Sequence, residues 1–194
     1  ESKLAAEILY SYLEKSLPNT FEIKDKNITK SDAQIILEIQ KNNKELKDQE
    51  FILKSNSQDI SLLATNLKSL KYAVYTLLEK WEFRKFTATV SYIPKPDAFI
   101  FPKNFYQKYQ PTFAYRTLLY PDSYDQAFRE WHKLDWFNDD FGLWGHTFDR
   151  LVPPKTHFKT NPKLYALYEG KRRAESLCMT NDTVVELLCS ELKK

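Results

Sequence analysis

The chain has 194 residues, a net charge of +3 and 42% hydrophobic residues, which is enough for one large domain or two small ones with a buried core. A charge this small and this dispersed is not that of a nucleic-acid binder, and no basic run carries the interleaved aromatics of a single-strand binder. No apolar run approaches the ~18 residues that a membrane-crossing helix needs.

In chain order, "SKLAAEILYSYLEKSL" places Leu4, Ile8, Leu9, Tyr12 and Leu13 on one helical face, and Pro18–Asn19 ends it. "AQIILEI", residues 33–39, reads as a buried strand. "EFILKS" and "ISLLAT" flank "NSQD" as a hairpin. Leu63, Leu67, Leu70, Val74, Leu77 and Trp81 then recur at helical spacing, with Asn66 placed to cap. Helix, strand, hairpin, helix predicts a small sheet with helices on one side over residues 1–95. Pro94, Pro96 and Pro102 break "YIPKPDAFIFPKNF", which reads as a linker over 96–110.

From residue 111 the rhythm changes. "TFAYRTLLY" predicts a strand, "SYDQAFREWHKL" a helix and "FGLWGHTF" a second strand. A long proline-containing loop follows, with a small hairpin at "YALYEGKR". "NDTVVELLCSELKK" closes the chain as a helix, capped by Asn181 or Thr183, with Val184, Leu187, Leu188 and Leu192 as its stripe. Cys178 and Cys189 match no zinc or redox spacing and read as free thiols. Aromatics make up 15% of the chain and crowd into Phe99–Tyr168; such rings stack on sugars, and they also fill cores.

The segments "YRTLLYPDSYD", "FGLWGHTFDRLVPP", "HFKTNPKLYALYEGKR" and "LCMTNDTVVELL" resemble glycoside-hydrolase-like proteins of polysaccharide-degrading Bacteroidetes, whose architecture is shared with α-glucuronidases and family 20 β-hexosaminidases. The first half, through "AAEILYSYLEKSLPNTFEI", "LKSLKYAVYTLLEKW" and "FTATVSYIPK", is similar to the small α/β domain that precedes those catalytic barrels. The resemblance implies an α/β protein: a hexosaminidase-like accessory sandwich over 1–95, the 96–110 linker, and over 111–194 the first β-α-β-α units of an incomplete (β/α)₈ barrel. Active sites in such barrels lie at the C-terminal ends of the strands.

Those strand ends nominate four substrate-binding residues. Trp144 and His146 share a face by the period-two rule, with Trp144 as a wall and His146 as a hydrogen-bonding group; Gly142 and Gly145 would relieve crowding there. His146 and Asp149 match the His-bearing second strand of the hexosaminidase barrel, with Gly145 in place of its aromatic. Arg116 would contact sugar hydroxyls or a uronate carboxylate; the alternative is a structural ion pair. For His146 the alternative is a hydrogen-bonded core histidine, and Asp149 and Arg150 could simply pair. Asp139 and Asp140 read as a solvated turn. Three scattered histidines make no metal site, and no cofactor is implied.

Glycoside hydrolysis needs two carboxyl groups about 5 Å apart or more, and the related barrels take their acid from a later strand. The expectation is therefore a carbohydrate-active protein, periplasmic, outer-surface or secreted, whose 194 residues hold a glycan subsite and do not catalyse alone. The alternative is a non-catalytic glycan-binding or self-associating module that pairs through an open barrel edge.

Overall fold

The computed structural model describes residues 1–24, 33–137, 142–143 and 145–193. Among the described residues the protein is a mixed α/β chain with three small sheets and no closed barrel. It divides into two compact units, Glu1–Trp136 and Phe137–Lys194.

The first unit follows the order read from its sequence. Helix α1 (Ser2–Ser16) buries Ala5, Leu9 and Leu13. Strands β1 (Ile35–Ile39), β2 (Phe51–Ser55) and β3 (Ile60–Ala64) precede α2 (Leu67–Lys80). Asn66 caps α2, its side chain accepting from the Ser69 N–H at 2.9 Å. The hairpin pairs β2 with β3 antiparallel, and β1 joins β3 in parallel. Alternation along the strands divides their apolar residues between two faces. Phe51, Leu53, Leu62 and Ala64 pack with α1 and α2, whereas Ile52 and Leu63 meet Leu46 on the other face.

The proline-rich stretch is not a linker. After the two-residue strands β4 (Arg84–Lys85) and β5 (Ser91–Tyr92), β6 (Tyr106–Tyr109) adds to β2 and completes a sheet ordered β1-β3-β2-β6. Phe99, Phe101 and Phe105 pack onto the main core, with Trp81 and Phe99 centroids 4.7 Å apart. Prolines broke the pattern locally, but the aromatics between them bury themselves against α2. The chain divides at 136/137 instead.

"TFAYRTLLY" forms no strand: residues 112–119 carry no ladder, and among the described residues no strand pairs with them. The helix after it is α3 (Gln126–Trp131), capped by the Asp125 side chain on the Phe128 N–H at 2.7 Å. Its Trp131 is buried against Tyr12 and Tyr75, so this segment is core of the first unit.

In the second unit the expected strand "FGLWGHTF" is also absent among the described residues. Gly142 and Gly145 have φ of +68° and +70°, and Phe148–Leu151 is a one-turn helix, α4. A Cβ at either glycine would meet nothing within 4 Å. These glycines therefore serve left-handed backbone, not close packing. The one-turn helix α5 (Pro154–His157) leads to a 3₁₀ turn, Pro162–Leu164. The expected hairpin forms from β7 (Tyr165–Tyr168) and β8 (Lys171–Leu177), and α6 (Asp182–Leu192) follows. Asn181 caps α6 through the Thr183 N–H at 3.0 Å, and Val184 and Leu188 are buried with Val152, Leu164, Tyr165 and Leu177. Leu192, expected on the stripe, is exposed. Both thiols are free.

Candidate functional site

The second unit contains a cleft of about 870 Å³ whose lining includes His146 and Asp149. Its floor follows from the hairpin. Tyr165 and Leu177 face each other across the base of β7 and β8 and are buried with Val152. The Tyr165 hydroxyl donates to the Val152 carbonyl at 3.2 Å, and burial pushes its pKa up, so it remains a neutral donor. The rim comes from three places: Gly145 to Asp149, ending in α4; Ala174 to Leu177 of β8; and Met179 beyond it. Two acidic residues, Asp149 and Glu175, are in this rim together with His146 and Ser176, and all four are exposed. Phe148 and Met179 are half exposed at the same edge.

An apolar floor under a polar rim can bind a molecule with one apolar face and many hydroxyls. Between Leu177 and Met179, the Cys178 thiol is held below its ordinary value. The leading cause is its contact with the Thr180 hydroxyl at 3.5 Å, helped by Arg172. Among the described residues, no group of three or more His, Cys, Asp or Glu side chains is placed to hold a metal ion.

Of the four residues nominated from sequence, the structure brings His146 and Asp149 to one cleft; Trp144 and the Asp139–Asp140 pair lie outside the described residues. Gly145 is not extended, its φ being +70°. Arg116 belongs to the first unit, and its guanidinium is occupied internally. Nε donates to the Lys133 carbonyl at 2.9 Å, Nη1 to the Phe113 carbonyl at 2.5 Å and Nη2 to Gln49 Oε1 at 2.6 Å, and the group lies over the Tyr72 ring. Its acceptors are two carbonyls and an amide oxygen, so the structural ion pair expected of this side chain is not formed among the described residues.

Glu175, Ser176 and Met179 were not legible as site residues. The available signal was the turn: a hairpin at "YALYEGKR" requires a second strand that continues through "RAESL", and that strand delivers Glu175.

The chain is a mixed α/β protein with an open cleft in its second unit. Residues 85–194 match the family model described as "Domain of unknown function (DUF4838)", and the chain belongs to that family. No curated protein and no solved structure matches the chain.

Proposed function

We propose that the cleft is a sugar subsite, and that the chain is the glycan-binding part of a glycoside-hydrolase-like protein acting on polysaccharide at the cell surface, in the periplasm or outside the cell. The observation that carries this reading is the convergence of His146, Asp149, Glu175 and Ser176 over the Val152–Tyr165–Leu177 floor. A pyranose ring has an apolar face for Phe148 and the floor, and hydroxyls for the imidazole and carboxylates. The helix–strand–hairpin–helix order of the first unit supports its reading as a hexosaminidase-like accessory domain. In the barrel reading, residues 112–119 become a strand only when another strand supplies the ladder.

Binding without turnover is expected of these 194 residues. Calorimetric titration of the purified chain with neutral and acidic oligosaccharides tests it. At least one should bind, and His146→Ala and Asp149→Asn should each weaken it about tenfold, the size of one lost hydrogen bond. If no oligosaccharide binds, or if both variants bind like the parent, the cleft is not a sugar subsite.

A second reading, self-association, is favoured by one exposed apolar run: Phe113, Leu118, Leu119, Tyr120 and Tyr124 are 49–70% exposed. Light scattering across a concentration series decides it: dimers that a Leu119→Glu substitution dissolves support it, and a monomer at every concentration excludes it.

A further inference from the structure

The hairpin that floors the cleft has a second, outward face. The register pairs Tyr168 with Lys171 and Ala166 with Arg173, so these four side chains share one face, while Leu167 and Arg172 take the other. Arg172 is used internally, donating to the Tyr165 carbonyl at 2.8 Å. Lys171 and Arg173 are exposed, and Tyr168 is 60% exposed. The Arg173 guanidinium lies 5.9 Å from the centre of the Tyr168 ring, which steadies the fork beside an open aromatic face. Ala166 is short and keeps this face flat.

This face carries Lys171 and Arg173 in a stretch of sequence that is itself basic. Residues 155–173 carry six Lys and Arg side chains against one carboxylate, Glu169, although the whole chain is only +3. The ion pairs among the described residues all involve lysines elsewhere, so this excess is not neutralised locally.

We infer that the outward face of the β7–β8 hairpin is a surface-binding site for an anionic polysaccharide, a polyuronate, separate from the cleft. It rests on the reading of the chain as glycan-binding. A sugar ring stacks on Tyr168 while Arg173 takes a ring carboxylate through its two-pronged N–H edge and Lys171 meets the next one. A carboxylate fits this pair better than a dense phosphate backbone does. Glu169 lies beside the two cations at the turn, and among the described residues this face carries one platform ring where single-strand binders line up several.

The test is affinity electrophoresis of the full chain in gels containing polygalacturonate, a neutral mannan, heparin or oligo(dT). Retardation should be strongest with polygalacturonate and absent with mannan. Lys171→Gln/Arg173→Gln should reduce it about tenfold or more, as expected when a charge-assisted contact goes. Tyr168→Ala should weaken it too, whereas Lys103→Gln, at an exposed lysine of the first unit, should leave it unchanged. Retardation that the hairpin substitutions do not alter, or that is equal with oligo(dT) or heparin, overturns the inference. Oligosaccharide binding that depends on Asp149, together with no polygalacturonate retardation, overturns this face alone. If neither the cleft nor the hairpin binds any glycan, the glycan reading itself falls.

Discussion

Arg116 and Asp135 hold each other at two points: the Arg116 N–H donates to Asp135 Oδ2 at 2.7 Å, and the Asp135 N–H donates to the Arg116 carbonyl at 2.6 Å. The remaining carboxylate oxygen takes the Lys68 ammonium at 2.6 Å, so a buried acid ties the segment after β6 and the end of α3 to helix α2. This clamp explains why residues 111–136 travel with the first unit.

Asp135→Asn should therefore destabilise the first unit by about 2–3 kcal/mol, because an amide N–H would face one of two donors in a buried place. Lys68→Met should cost less, since that side chain is 45% exposed and its charge is screened. Urea unfolding followed by tryptophan fluorescence measures both; equal losses would show that the carboxylate is not the centre of the clamp.

Glu50 is buried before β2 and accepts from Lys108 at 2.8 Å and from the Lys47 N–H at 2.9 Å. The Lys108 hydrogen bond first, and the Lys47 N–H next, hold its pKa below the ordinary 4.5 against the opposing effect of burial. A carboxylate whose pKa is depressed on folding contributes stability that is full above its unfolded pKa and is lost as pH falls through the folded one. Unfolding free energy should hence decline as pH drops below about 4.5, and Glu50→Gln should flatten that slope while lowering stability at neutral pH. Denaturant titrations between pH 3 and 7 report both; an unchanged slope in Glu50→Gln would move the effect to other acids. Glu130 is one of these, since Lys71, Gln126 and Tyr75 lower its pKa past the upward push of burial.

Trp131→Ala should cost the first unit about 3–5 kcal/mol, the range for emptying a buried aromatic site. Trp131 is 2% exposed and lies 5.4 Å from Tyr12 and 5.3 Å from Tyr75, centre to centre. Hydrogen exchange should accelerate throughout α1, α2 and the sheet but not in the β7–β8 hairpin. Equal acceleration in the hairpin would contradict the division at 136/137.

The β7–β8 turn places Glu169 at φ +49° and Gly170 at φ +73°, both left-handed as a two-residue type I′ turn demands. Glutamate is strained there, and asparagine tolerates it. Glu169→Asn should stabilise the hairpin by about 0.5–1 kcal/mol, seen as slower amide exchange at Ala166 and Arg173. Faster exchange would mean that the Glu169 side chain has a role in the turn.

Elements with long periodicity and marked ends were legible from local pattern. Helices α1, α2 and α6, the Asn66 and Asn181 caps, the β2–β3 hairpin and the β7–β8 hairpin all follow from local spacing and turn chemistry. The other elements depend on contacts between segments far apart in the chain. The aromatics of "FIFPKNF" look like linker until α2 offers them a surface. The apolar run "TFAYRTLLY" satisfies every local rule for a strand, but a strand exists only beside another strand. Gly142 and Gly145 looked like relief of crowding because spacing cannot report the sign of φ. His146 and Asp149 were visible as residues with chemistry, but Glu175 joins them only because a turn some five residues earlier folds β8 back across β7. That juxtaposition is set by hydrogen-bond register, which local sequence pattern constrains and three-dimensional pairing completes.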